Sequence, residues 1–196
     1  MAKILMAEQQ WVKPRLLSEV VAVLVAGGVV ILPSDGGYAL FAGLGHKATL
    51  QRLQALGALQ GTEGLTLVCA DLAMVSAYAQ LTDMAFGLLK RLPVGAVTAI
   101  LPATRQMPKW AQEAKRKTVA VTMTSQVLLL ALIEQLGAPL LQLGLGEADE
   151  AVLANQVDLW VDVGALARVE VSVVDFANLC LRWCIKVLNL LIYKLF

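Results

Sequence analysis

Two short stretches carry the side chains best suited to chemistry. In VVILPSDGGYALFAG, residues 29–43, an apolar run meets Ser34 and Asp35, crosses Gly36 and Gly37, and resumes through Tyr38. A hydroxyl, a carboxylate and backbone freed by glycine can close a tight hairpin or line a cradle for a bound substrate. The second stretch is the basic run Lys115, Arg116, Lys117, with Lys109 upstream. Such cations can meet the phosphates of a nucleotide or an RNA, or form a solvated face. Other chemistries are disfavoured. The single histidine, His46, has no Cys or Asp at ligand spacing around it, which speaks against a structural zinc or a His-based triad. Three cysteines (Cys69, Cys180, Cys184) form no C-x-x-C pair and fit a reducing compartment. A cytoplasmic protein without a structural metal is the expectation.

These residues need elements to hold them. The chain has 196 residues, enough for one domain with a core, and its net charge of +1 announces no global field for a polyanionic partner. Apolar residues make up 58%, which raises the question of a membrane. Residues 16–32 are interrupted by Glu19, Gly27 and Gly28 and closed by Pro33, so they read as a helix followed by a buried strand. The run 176–196 carries Arg182 and Lys186 mid-segment. Each would cost ~3 kcal/mol at a bilayer centre, so spanning is disfavoured.

Apolar periodicity predicts a helix over Lys13–Ala26, strands at Val29–Leu32 and Gly37–Ala42, and a helix over Lys47–Leu56. Leu65–Cys69 reads as β, followed by helices over Asp71–Ala79 and Asp83–Leu92 and a strand at Val97–Leu101. A short helix after Pro108, strand Thr118–Met123, helix Gln126–Leu136 and strand Leu140–Leu143 come next. Glu147–Ala154 reads as helical, with strands at Leu159–Asp162 and Val171–Asp175. This alternation implies an α/β (α+β) domain, a mixed sheet with helices on its faces, over residues 1–176. In the remainder, 177–196, Asn178, Arg182, Lys186, Asn189 and Tyr193 draw one polar stripe at helical spacing on an otherwise apolar segment. Such an amphipathic helix can pack on the body, pair with a second copy into a homo-oligomer, or lie on a membrane surface.

Four stretches together, GGVVILPSDGGYAL (27–40), VGAVTAIL (94–101), KRKTVAV (115–121) and QVDLWVDVGALARVEVSVVD (156–175), resemble the YrdC-like family, most closely its YciO branch. The resemblance runs from about Lys13 to Asp175. It implies a twisted mixed sheet around a concave cleft. It also implies an ancestral activity: condensing L-threonine, bicarbonate and ATP, with Mg2+, into threonylcarbamoyl-adenylate for modifying tRNA. Some relatives are described as binders of double-stranded RNA or nucleotides. By this resemblance Ser34, Asp35 and Gly36 fall on the threonine and carbonate side and Tyr38 on the strand backing it. Thr66 and Leu67 lie on the neighbouring strand, Thr98 and Lys115–Thr118 border the nucleotide, and Ser172 and Asp175 sit on the late strand. An RNA would meet Lys109, Lys115, Arg116 and Lys117.

The pattern departs from the family where catalysis needs it. The family's Lys/Arg-x-Arg pair falls on Ala55 and Gly57, its serine turn on Gln142 and Gly144, a strand arginine on Thr122, and the proline two residues later on Thr124. ATP brings about four negative charges, and adenylyl transfer needs cations where charge develops. Magnesium, or Arg52, one helical turn before Ala55, with Lys47, would offer part of the replacement charge. The departures imply a weakened or lost nucleotidyltransferase. The alternatives are a non-catalytic RNA- or nucleotide-binding relative, or an assembly or membrane-surface protein acting through its terminal helix.

Overall fold

The computed structural model describes residues 3–6, 13–58, 64–113, 115–145, 155–167, 169 and 171–177. The expected helix at 147–154 and the segment 178–196 lie outside the described residues. In chain order the elements are β1 (Lys3–Met6), α1 (Pro14–Val25), β2 (Val29–Ser34), β3 (Gly37–Gly43), α2 (Lys47–Ala58) and β4 (Leu65–Cys69). Then follow α3 (Leu72–Tyr78), α4 (Asp83–Arg91), β5 (Val97–Pro102), a 3-10 turn (Lys109–Ala111) and β6 (Thr118–Met123). The last are α5 (Val127–Leu136), β7 (Leu140–Gly144), β8 (Leu159–Asp162) and β9 (Ser172–Asp175).

Local chemistry sets the boundaries. Pro14 opens α1, where a missing N–H is no loss, and Gly27 closes it with φ of 80°. Asp71 and Thr82 cap α3 and α4 by accepting from the N–H groups of Met74 and Ala85. Gly137, left-handed at φ of 62°, ends α5. β2 runs two residues further than the apolar run implied, because Pro33 and Ser34 still pair with Tyr38 and Gly37.

The nine strands among the described residues join one mixed sheet in the order β1-β8-β2-β3-β7-β4-β6-β5-β9. Pairs β1/β8, β2/β8, β4/β6 and β5/β9 are parallel, and the others antiparallel. Sequence reading missed β1, a four-residue edge strand too short and too exposed to show a period.

Alternation along the strands divides the core in two. On one face Leu50, Leu53 and Leu56 of α2, with α3 and α4, pack on Leu67, Val121 and Leu141. On the other, Val20 and Leu24 of α1 and Leu129, Leu132 and Ile133 of α5 cover Val30, Leu32, Phe41 and Leu140. No helix among the described residues is long and apolar enough to cross a membrane.

Cys69 lies fully buried on the first of these faces. Burial, with Asp71 nearby, pushes its thiol up to about 12. At pH 8 the thiolate fraction is then of order one in ten thousand. Iodoacetamide followed by peptide mapping should leave Cys69 unmodified in the folded protein and alkylate it within minutes in urea.

Candidate functional site

The pause at residues 34–37 is a hairpin. Ser34 pairs with Gly37, leaving Asp35 and Gly36 as a two-residue turn, and Gly37 takes φ of 114°, where a side chain would be strained. The Ser34 hydroxyl serves the turn itself, donating to the Gly37 carbonyl at 2.6 Å and accepting from the Gly36 N–H at 3.3 Å.

Asp35 serves a more distant contact. Its carboxylate accepts from the hydroxyls of Thr124 at 2.7 Å and Ser125 at 2.6 Å, and from the Ser125 N–H at 3.1 Å. The hairpin tip is thereby latched to the turn between β6 and α5. Gly95 makes room for the latch: with φ of 84°, a Cβ there would lie 2.5 Å from the Asp35 carboxyl carbon.

Behind the latch lies a hollow of about 360 Å³. The structure brings six of the expected residues to its wall: Ser34, Asp35, Gly36, Tyr38, Thr66 and Thr98. Strand register explains the grouping. Thr66 pairs with Gln142 and Thr98 with Thr122, so these four side chains project from one sheet face into the hollow, beside Ala39 and Gly144. The side chains of Thr66, Thr98 and Gln142 hydrogen-bond to none of the described residues, whereas Thr122 donates to the Val97 carbonyl at 2.9 Å. Tyr38 backs the wall: its hydroxyl lies 2.9 Å from both an Asp162 carboxylate oxygen and the Gly164 carbonyl, and accepts from the Val163 N–H at 2.8 Å. Its ring meets Trp160 edge-on at 5.9 Å.

Other expected residues fall elsewhere, and alternation accounts for two of them. Leu67 follows Thr66 and so faces α2. Ser172 pairs with Val97 and Val174 packs into the same core, which directs Ser172 away from the hollow, although Val169 and Val171 reach its rim. The basic turn, Lys115 to Lys117, immediately precedes β6. Arg116 is taken up by Asp175 at 2.6 Å and Glu113 at 3.9 Å, and the Asp175 carboxylate raises its already high pKa. Lys109, Lys115 and Lys117 are exposed, and none lines the hollow.

Arg52 does not replace the lost cations. It pairs with Asp158 at 2.5 Å and donates to the Gln156 carbonyl at 2.7 Å. It rides on α2, against the sheet face opposite the hollow. Lys47 starts the same helix. Among the described lining residues there is no Lys or Arg, and Asp35 is the one carboxylate. No cluster of His, Cys, Asp and Glu among the described residues suits a metal ion. His46 hydrogen-bonds the Val25 carbonyl through Nε2 at 3.1 Å, an ordinary surface role.

The latch partners Gly95, Thr124 and Ser125 were missed in the sequence. A glycine in a Pro-x-Gly turn and a Thr-Ser pair before a helix are common, and nothing local ties them to Asp35, which is 89 and 90 positions from the pair.

Mixed sheet, flanking helices and polar hollow together define a class of mixed α/β protein. The chain belongs to the Sua5/YciO/YrdC family, whose profile, described as telomere recombination, matches residues 22–182. It is 33% identical over 175 residues to the protein YciO of Escherichia coli (strain K12), covering 84% of this chain and 85% of that one. The crystal structure of E. coli YciO superposes with a TM-score of 0.82 at 30% identity, over 90% of this chain and 91% of that one. The threonylcarbamoyl-AMP synthase of Nitrosococcus oceani is 30% identical over 118 residues, 59% of this chain and 62% of that one. P. abyssi Sua5 complexed with L-threonine shares the fold, with a TM-score of 0.74 at 19% identity, over 91% of this chain and 55% of that one.

Proposed function

We propose that the hollow behind the Asp35 latch is a small-molecule site of threonylcarbamoyl-AMP synthase ancestry that retains room for an amino acid such as L-threonine but has lost efficient ATP activation. One observation carries this reading: the described lining holds no cation. A nucleotidyltransferase must stabilise charge building on the triphosphate, and uncompensated phosphate in a partly enclosed hollow is strongly disfavoured. Mg2+ fits no better, since both oxygens of Asp35 are occupied by Thr124 and Ser125. A zwitterionic amino acid asks less, and Thr66, Thr98 and Gln142 offer it hydroxyl and amide groups. The kinship with a threonylcarbamoyl-AMP synthase and the L-threonine bound by P. abyssi Sua5 support the choice of ligand.

Isothermal calorimetry on the purified chain tests this. L-Threonine should give measurable heat at millimolar concentration, and ATP with Mg2+ none. Tight ATP binding, or no response to any amino acid, would overturn the reading. A second reading, RNA binding, draws on the exposed Lys109, Lys115 and Lys117. With ~3 phosphates met at most, affinity for duplex RNA would be modest and fall about tenfold or more between 50 and 200 mM salt. A duplex RNA injected at both salts in the same calorimeter separates the two.

A further inference from the structure

The hydrogen-bond donors on the hairpin side of the Asp35 hollow are already taken. The Ser34 hydroxyl donates to the Gly37 carbonyl at 2.6 Å, and the Gly36 N–H to Ser34 Oγ at 3.3 Å. The Thr124 hydroxyl, the Ser125 hydroxyl and the Ser125 N–H all donate to Asp35, at 2.7, 2.6 and 3.1 Å. What stays open there is acceptor capacity. Asp35 Oδ1 takes both Ser125 bonds, whereas among the described residues Oδ2 takes only the one from Thr124, and a carboxylate oxygen has room for about two. The sheet floor is different. Thr66, Thr98 and Gln142, whose side chains hydrogen-bond to none of the described residues, can each donate and accept. The hollow thus has a negative side that accepts and a neutral floor that does both.

We infer that the hollow selects a small α-ammonium compound whose carboxyl group is masked as an amide, with the ammonium at Asp35 and the amide on Thr66, Thr98 and Gln142. The inference rests on the reading of the hollow as an amino-acid site and narrows it. An ammonium group has donors and no acceptor, the complement of the hairpin side, and it adds a bond at Oδ2 without displacing Thr124 or Ser125. Mg2+ cannot do the same, because it demands several oxygen ligands in an octahedral array. A free carboxylate has acceptors alone. Beside the hairpin it meets the charge of Asp35, and on the floor it meets neutral groups, with no Lys or Arg among the described lining residues. Its charge is left unpaired in a partly enclosed space, which is costly. An amide in the same place carries no charge and uses both the donors and the acceptors of the floor. Free L-threonine therefore fits at one end, and its amide at both.

Calorimetry on the full chain at about pH 6.5, where α-amines are protonated, tests this with L-threonine, L-threoninamide and N-acetyl-L-threonine. Threoninamide should bind about tenfold more tightly than threonine, the effect of relieving one unpaired charge. N-acetyl-L-threonine, which lacks the ammonium and keeps the carboxylate, should give no heat. Asp35→Asn retains a side-chain oxygen for Ser125 and should weaken threoninamide about tenfold, so that the variant no longer prefers it to threonine. Should that variant misfold, the ligand series on the unmodified chain decides alone. Two results would overturn the inference while leaving an amino-acid site standing: threonine binding as tightly as its amide or more so, or N-acetyl-L-threonine binding as well as threonine. Heat from none of the compounds would remove the site, and the inference with it.

Discussion

Given ATP, Mg2+, L-threonine and bicarbonate, the protein should release pyrophosphate at least about 1,000-fold more slowly than the Nitrosococcus oceani threonylcarbamoyl-AMP synthase assayed beside it. Loss of a single preorganised contact to a transition state costs ~100- to 1,000-fold. The positions where the resemblance expects cations carry Ala55, Gly57 and Thr122, and such losses sum to less than their parts. Among the described residues the wall has no substitute, because Arg52 is spent on Asp158 and Arg116 on Asp175. Thr122 offers a direct check, since it lies in the hollow. Thr122→Arg should strengthen triphosphate binding about tenfold by returning one charge-assisted contact. Pyrophosphate release at the synthase's rate by the unmodified chain would refute the proposal.

Gly95→Ala should destabilise the protein by about 4 kcal/mol, read from the midpoint of urea unfolding. Two costs add. A side chain at φ of 84° carries ~1–3 kcal/mol of backbone strain, and overpacking against the Asp35 carboxyl, 2.5 Å from the new Cβ, adds ~1–3 kcal/mol. Asp35→Ala alone should cost about 2–3 kcal/mol through the loss of its bonds to Thr124 and Ser125. The double variant separates the terms. The carboxyl contact goes but the residue 35 Cβ, 2.6 Å from the new one, remains, so only part of the clash is relieved and the pair should be ~1 kcal/mol less unstable than the sum of the singles. Strict additivity would mean that the carboxyl takes no part in the clash.

Much of this architecture was legible in the chain. Helices such as α1 and α5 declare themselves by apolar period and by glycine at their ends, and β4, β6 and β7 by short apolar runs between turn residues. Gathering Ser34, Asp35, Gly36, Tyr38, Thr66 and Thr98 around one hollow was anticipated from motif order. What the chain did not declare depends on sheet pairing. Whether Thr66 or Leu67 faces the hollow follows from a register that alternates every residue, so Ser172 fell on the wrong face while its neighbour Val171 reached the rim. Arg52 was ambiguous for a similar reason: helical phase shows which way it points from α2, but not on which side of the sheet α2 lies. The fate of Asp35 was hidden most completely, because Thr124, Ser125 and Gly95 come to it from remote parts of the chain.

That remoteness governs how the molecule is made. The hairpin forms locally, but its tip gains a hold only when residues 89 and 90 positions away have been placed, and closing so long a loop before any reward is slow. The hollow is therefore among the last features to mature, and a chain cut short before Ser125 would carry every hydroxyl of the hairpin and no cavity behind it.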